Sequence, residues 1–255
     1  DQAQQWKSAG ITSQRDFYTK FVRQLRGKDT KAVVIISDAL RYEIGEELLR
    51  RIREQDRFDA RIEPMLASLP SYTQLGMASL LPHAQMAVSD LERAVVSING
   101  NPTAGLDNRR KVLSQNPNGD RATAWQTDDF LELRSTDAKE IIRDHDVLYI
   151  YHNVIDATGD AAKTEEKVFE ATEAALDELV TLVRKLTSAN ASHILVTADH
   201  GFIYQNRDLQ ESDYLGTKPD GAEILFQDRR FILGRELAEH ASFKKFNASE
   251  LGLDG

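Results

Sequence analysis

Three short runs of mostly β-branched or aromatic residues, each followed closely by an acidic residue, constrain the fold of this sequence most strongly. The runs are Ala32 to Ile36, Val147 to Tyr151 and Ile194 to Thr197. Uninterrupted apolar runs of this length are typical of strands buried on both faces of a parallel sheet. Apolar residues at helical spacing follow the first two runs, at Leu40, Ile44, Leu48 and Ile52 and again at Val168, Leu176, Leu179, Val183 and Leu186. Strands that alternate with helices predict an α/β fold with a central, mostly parallel β-sheet flanked by helices.

The rest of the chain is assigned by weaker patterns. Residues 1–30 are polar with apolar positions at helical spacing, which predicts an amphipathic helical lead-in to a domain over 31–255. Ala94 to Ser97 predicts an edge strand, and the Asn-, Gly- and Pro-rich stretch 99–120 predicts a long loop. Together they suggest an insertion near 94–125.

Composition excludes several classes of protein. With 32 Lys and Arg against 41 Asp and Glu, the net charge of −9 has the wrong sign for holding nucleic acid by bulk charge. The absence of cysteine excludes disulfides and thiolate metal sites and favours a reducing compartment such as the cytoplasm. No apolar stretch is long enough to span a bilayer, and the first residues do not resemble a signal peptide. Because the sequence begins without a methionine, we expect it to be a piece of a longer chain.

Acidic residues follow all three predicted strands. Asp38 follows the first strand, Asp156 comes soon after the second, and Asp199 with His200 follows the third. Because the carboxyl ends of parallel strands share one edge of a sheet, these side chains are expected to converge there. Converging carboxylates repel each other unless a cation lies between them, and Asp with His suits zinc or manganese better than calcium. For Asp38 alone, capping of the following helix is an equally good interpretation.

A loop rich in hydroxyl groups precedes a short apolar helix-like stretch. It carries Ser68, Ser71 and Thr73. A hydroxyl beside a metal can act as a nucleophile toward phosphorus or sulfur. Ordinary turn and capping chemistry explains the same residues equally well.

Four sequence blocks contain these acids and hydroxyls, namely Val34 to Glu43, Leu69 to Ala78, Tyr151 to Asp160 and Thr197 to Phe202. In this order they resemble the PglZ domain, a branch of the alkaline phosphatase superfamily. The resemblance implies an alkaline phosphatase-like α/β sandwich. It also implies a site with two divalent metal ions, usually zinc, around a Thr or Ser nucleophile.

The resemblance assigns a first metal ion to Asp38, the nucleophile, Asp199 and His200. It assigns a second ion to Asp156 and Asp160. Members of the superfamily commonly have a histidine in the position of Asp160, so manganese or magnesium are alternatives to zinc there.

A further histidine usually completes the second site near the end of such domains. The sequence after His200 offers His240, which lacks the expected glycine-rich context. We therefore expect the natural ligand to lie beyond Gly255 and the second site to be weak or empty in this chain.

Thr73 is the preferred nucleophile by its place in the resemblance, with Ser71 as runner-up and Ser68 third. Two further residues are candidates for substrate binding. Arg41 could hold a phosphoryl oxygen, with a surface pair to a nearby Glu as the alternative. His152, at the end of the second strand, could contact substrate or have a structural role.

The resemblance implies a metal-dependent phosphoesterase that hydrolyses phosphodiesters, nucleotide-like substrates among them. It also implies a place in bacterial phage-exclusion (BREX) systems beside a methyltransferase and other subunits. The lack of cysteine and of a membrane-spanning stretch separately favours the cytoplasm, with no membrane as partner. The main alternative is a non-catalytic scaffold stabilised by its metal. A phosphomonoesterase or sulfatase is the other enzymatic alternative, and the lack of cysteine and of a clear serine motif weighs against the sulfatase.

Overall fold

The computed structural model describes residues 10–25, 30–116, 119–161, 165–202, 223–228 and 231–254, with side chains for all of these except 158–161 and 165–169. The strands are β1 (Thr12–Ser13), β2 (Ala32–Ser37), β3 (Met65–Leu66), β4 (Met86–Asp90), β5 (Val95–Ile98), β6 (Asn101–Pro102), β7 (Ala122–Gln126), β8 (Val147–His152), β9 (His193–Thr197), β10 (Glu223–Gln227) and β11 (Ile232–Arg235). The α-helices are α1 (Tyr42–Arg53), α2 (Thr73–Ser79), α3 (Leu106–Ser114), α4 (Thr127–Glu132), α5 (Ser135–Asp144), α6 (Val154–Ala161) and α7 (Glu165–Ser188).

A four-stranded parallel sheet, in the order β7-β8-β2-β9, forms the centre of the domain. All residues of β2 and β8 are buried, as expected for uninterrupted apolar strands between two layers of helices. The three strands predicted from the sequence are present within one residue of their predicted bounds, and the α/β fold class is confirmed.

Alternate residues of the central strands face two separate apolar layers. Val34 and Tyr149 face a layer that includes α2 and α3, whereas Val33 and Ile150 face a layer that includes α1, α5 and α7. The period-two alternation of a strand directs neighbouring side chains to opposite faces. The sheet is therefore covered on both faces, so functional side chains are expected at the edge formed by the carboxyl ends of its strands.

The stretch interpreted as an insertion is more regular than predicted. The predicted edge strand is β5, which lies between β4 and β6 in an antiparallel sheet and so is central. The predicted loop contains β6 and α3, and residues 122–126 form β7 at the edge of the central sheet. The sequence of β7, Ala-Thr-Ala-Trp-Gln, has no β-branched run, which explains why the pattern missed it.

The N-terminal segment is helical in short turns rather than one continuous helix. A 3₁₀ turn at Gln14–Asp16, a π-helical turn at Tyr18–Val22 and a 3₁₀ turn at Arg23–Leu25 follow β1. Its apolar residues pack into the core, and β1 pairs in parallel with β3. The division into a lead-in and a main domain stays a prediction. Among the described residues, no helix is long and apolar enough to cross a membrane.

Candidate metal centre

The carboxyl ends of β2 and β9 bring three potential metal ligands together. Asp38 follows β2, and Asp199 and His200 follow β9, its neighbour in the sheet. The Nε2 atom of His200 lies 3.5 Å from Asp38 Oδ1 and 3.5 Å from Asp199 Oδ2. One ligand atom from each residue falls within 4.8 Å of the other two. The geometry is that of side chains arranged around a common point at the sheet edge.

The two carboxylates are buried without enough hydrogen-bond donors. Asp38 and Asp199 are 5% and 1% exposed, and neither Asp38 Oδ1 nor Asp199 Oδ2 has a hydrogen-bond partner among the described residues. Burial, followed by the charges of Asp199 and Asp156, raises the pKa of Asp38, and burial also raises the pKa of Asp199. Buried, unpartnered carboxylate oxygens are costly unless a cation compensates them. These residues therefore fit a divalent metal ion.

His200 is oriented with one nitrogen toward the carboxylates. Its Nδ1 lies 3.0 Å from the main-chain oxygen of Gly201, and because a carbonyl only accepts, Nδ1 carries the proton in this contact. The lone pair of Nε2 then faces Asp38 and Asp199. A second ring nitrogen held by a carbonyl is the usual arrangement of a metal-binding histidine.

Thr73 contacts this group of ligands through its hydroxyl. At the first residue of α2, its Oγ1 lies 3.0 Å from Nε2 of His200. Ser71 is half-buried in the preceding loop, and Ser68 faces Ser79 instead, with their hydroxyl oxygens 2.8 Å apart. The structure thus places Thr73 in contact with one of the three ligands, and the choice of nucleophile stays a prediction.

The predicted second site is only partly visible. Asp156 lies in the first turn of α6, close enough for its charge to contribute to the raised pKa of Asp38. The side chain of Asp160, further along α6, lies outside the described residues. His240 is exposed and pairs in a tight turn with Phe243.

The two candidate substrate contacts have other partners. Arg41 pairs with Glu43, with a nitrogen–oxygen distance of 2.7 Å, and its guanidinium group lies over the Phe202 ring. His152 is buried, with Nδ1 2.8 Å from the hydroxyl of Ser37, and burial lowers its pKa to about 4, so the ring is neutral at pH 7. Its main-chain oxygen accepts a hydrogen bond from the amide of Asp38 at 2.8 Å. His152 therefore supports the turn that carries Asp38.

Sequence patterns missed the close packing of Gly76 of α2 against the turn that carries Asp199. A Cβ atom at Gly76 would lie 2.2 Å from the main-chain oxygen of Asp199 and 2.7 Å from its carbonyl carbon. A glycine inside an apolar helical stretch is the one signal that could have suggested such a contact. Only glycine lets the helix that carries Thr73 approach the ligands this closely.

The Gly76→Ala substitution should therefore separate α2 from the ligand turn. We expect a loss of about 1–3 kcal/mol in stability from overpacking, and a fall of about 10-fold in zinc affinity as Asp199 is displaced. Thermal unfolding and a zinc titration measure the two effects. Gly45→Ala in α1 is the matched control, because its Cβ would meet the movable end of the Ile62 side chain at 3.1 Å. Equal behaviour of the two variants would contradict the close packing.

Comparison with known proteins identifies the family of this chain. Residues 17–255 match the family described as the BREX system PglZ alkaline phosphatase-like domain. The alkaline phosphatase-like protein BrxZ of Escherichia coli O9:H4 (strain HS) is 42% identical over 239 residues, which are 92% of this chain and 27% of that protein. The alkaline phosphatase-like protein PglZ of Bacillus cereus (strain H3081.97) is 40% identical over 237 residues, with the same coverage. The chain thus spans about a quarter of the length of these relatives. It belongs to the PglZ family of alkaline phosphatase-like domains.

Proposed function

We propose that this domain is a metal-dependent phosphoesterase that hydrolyses phosphodiesters through Thr73. The observation that carries the proposal is the contact of the Thr73 hydroxyl with His200, within a group of two buried carboxylates and one imidazole. Asp199 Oδ1 accepts a hydrogen bond from the main-chain amide of Ala39, but Asp38 Oδ1 and Asp199 Oδ2 are unsatisfied beside a hydroxyl, and a hydrolytic centre needs this combination.

Asp38, Asp199 and His200 would hold a divalent ion, with zinc first and manganese or magnesium as alternatives. When bound, such an ion supplies charge stabilisation to a phosphoryl oxygen and increases the acidity of a neighbouring hydroxyl. A second ion, as the resemblance implies, would use Asp156 and Asp160.

The chain's own residues position the nucleophile. His200 and the start of α2 hold Thr73 Oγ1 at the ligand group, and the close packing of Gly76 fixes the distance of the helix. In the proposed reaction, the hydroxyl of Thr73 gives its proton to water, Oγ1 forms a bond to phosphorus while the bond to the leaving oxygen breaks, and the leaving alkoxide takes a proton from water to become the alcohol. A water molecule then cleaves the phosphothreonine and restores the free hydroxyl.

We further propose that the domain acts in a BREX anti-phage system in the bacterial cytoplasm, with other BREX subunits, such as a methyltransferase, as partners. The family match and the relatives BrxZ and PglZ support this assignment. Nucleotide-like diesters are the substrate class that such a role suggests.

A non-catalytic scaffold is the second candidate. Among the described side chains, one three-ligand group is present, whereas the resemblance implies two metal ions. A single ion could stabilise the sheet edge without taking part in hydrolysis, and the acid at position 160 favours this alternative.

Metal dependence and substrate class can be tested together. The purified chain is stripped with a chelator, supplied with zinc, manganese or magnesium, and assayed on bis(4-nitrophenyl) phosphate and on the monoester, with metal content measured by mass spectrometry. We expect bound metal and at least about 10-fold faster turnover of the diester, since a diesterase centre stabilises the transition state of one ester class selectively. Preference for the monoester would make the domain a phosphomonoesterase. Bound metal without turnover of either ester would favour the scaffold.

A further inference from the structure

We infer that Gln14, in the N-terminal segment, is a positioning residue that fixes the ligand turn to the loop of the nucleophile. Gln14 lies before residues 17–255, the part of the chain that matches the family. It belongs to a polar stretch in which sequence patterns give no sign of a role in the site. The structure gives its side chain three hydrogen bonds, all to main-chain atoms near the candidate centre.

The amide nitrogen of Gln14 faces the ligand turn. Nε2 donates to the main-chain oxygens of Ala198, at 3.0 Å, and Asp199, at 2.7 Å. Because both partners are carbonyl oxygens, which only accept, the nitrogen end of the amide is assigned to this side. Both hydrogens of the amide therefore hold the turn between β9 and His200.

The amide oxygen of Gln14 faces the loop that leads to Thr73. Oε1 accepts a hydrogen bond from the main-chain amide of Ser68 at 3.0 Å. The residue is 2% exposed, so water does not compete for these three contacts. One side chain thus joins two segments that are distant in sequence and that carry the ligands and the nucleophile.

Two neighbours restrict the position of the Asp199 carbonyl. Gln14 donates to its oxygen, and the same oxygen would lie 2.2 Å from a Cβ atom at Gly76 of α2. Contact with α2 opposes movement of this peptide toward the helix, and the hydrogen bond opposes movement away from Gln14. The position of the Asp199 carboxylate, and with it the geometry of metal binding, depends on this restraint.

Removing the amide should weaken metal binding more than it weakens the fold. Gln14→Met keeps the length of the side chain and deletes all three hydrogen bonds. We expect its affinity for zinc and manganese to fall about 10- to 100-fold, because loss of a residue that orients a metal ligand usually costs this much. In the metal-free chain, hydrogen exchange should become faster at both Ser68 and the Ala198–His200 turn. Gln14→Asn keeps the amide but shortens its reach by one methylene, and it carries the same expectation if the first variant does not fold.

Tyr18→Phe is the matched control. Tyr18 belongs to the same N-terminal segment and is equally buried, but its hydroxyl accepts from Asn116 and contacts Asp120, before the amino end of β7. This variant should lose thermal stability to a similar extent and keep its metal affinity and its exchange at Ser68. The inference is overturned if Gln14→Met binds metal as tightly as wild type, if Tyr18→Phe weakens binding equally, or if exchange changes at neither segment.

The effect of Gln14 on turnover rests on the function proposed above, whereas metal affinity and exchange do not require hydrolysis. A wild-type chain that binds metal without hydrolysing the diester would refute the proposed function. The role of Gln14 would then be tested by the metal affinity of its variants. A wild-type chain that binds no metal would also refute that function. Hydrogen exchange at Ser68 and at the Ala198–His200 turn would then decide whether Gln14 fixes these two segments.

Discussion

The Asp38→Asn variant is expected to lose metal binding and at least about 10³-fold in diester hydrolysis, while its metal-free form becomes more stable than wild type at pH 8. The carboxylate is a proposed ligand, so its loss removes a charge that the metal ion requires. The gain in stability of the metal-free form comes from removal of the same buried negative charge. Burial, followed by the charges of Asp199 and Asp156, raises the pKa of Asp38 from 3.8 to about 8, so the ionised form opposes folding.

The sign of the pH dependence follows from proton binding. Because the folded chain holds the proton of Asp38 more tightly than the unfolded chain, the stability of the metal-free wild type falls as the pH rises from about 4 toward 8. Asparagine does not ionise, so the variant lacks this fall. Melting temperatures of both metal-free proteins across this range, with metal content and hydrolysis, provide the measurement.

Asp146→Asn is the control, because ionisation of this carboxyl stabilises the fold instead of opposing it. Asp146 pairs with Arg121, with a nitrogen–oxygen distance of 2.8 Å, and this hydrogen bonding holds the pKa of its carboxyl below the ordinary value. Its contribution to stability is present above pH 4 and is lost in acid, so the variant should be slightly less stable at pH 8 and bind metal normally. A metal-free Asp38→Asn protein that is less stable than wild type at pH 8 would contradict the electrostatic account.

The Thr73→Ala variant is expected to keep its metal and lose about 10³-fold or more in diester hydrolysis, as removal of a covalent nucleophile generally does. The hydroxyl donates toward His200 in the structure, and the three grouped ligands, two carboxylates and one imidazole, remain in the variant to hold the metal ion. Loss of turnover with retained metal would therefore separate the nucleophile from the ligands. Metal content and steady-state hydrolysis of the diester are the two measurements.

Two variants test the choice among the hydroxyls. Thr73→Ser keeps the oxygen and should retain activity within about 10-fold of wild type. Ser71→Ala, in the loop before α2, should change hydrolysis little. If Ser71→Ala abolishes hydrolysis and Thr73→Ala does not, the runner-up is the nucleophile.

The strands and the position of the acids were predictable because both depend on local sequence. β2 and β8 are continuous apolar runs, and a residue that follows a parallel strand must lie at the carboxyl edge of the sheet. This rule anticipated that Asp38 and Asp199 would lie close together. It could not give the distances to His200 or Thr73, because they depend on how α2 packs.

The features that the sequence did not predict depend on partners distant in the chain. Gln14 meets Asp199 across 185 residues, and a polar residue in a short turn gives no sign of such a partner. Among the described strands, β7 lies at the sheet edge and pairs with β8 alone, so it needs no apolar run on both faces. Both features follow from tertiary packing, which overrides local propensity.

The strand order also determines when the candidate centre can form during synthesis. β2, the earliest strand of the central sheet to leave the ribosome, lies between β8 and β9, the last two. A nascent chain can therefore pair β2 with β8, and β8 with β7, before Asp199 and His200 exist. At about 5–20 residues per second, the interval between Asp38 and His200 is on the order of ten seconds. Throughout that interval Asp38 lacks its partner ligands, so the centre cannot act before translation has passed residue 200.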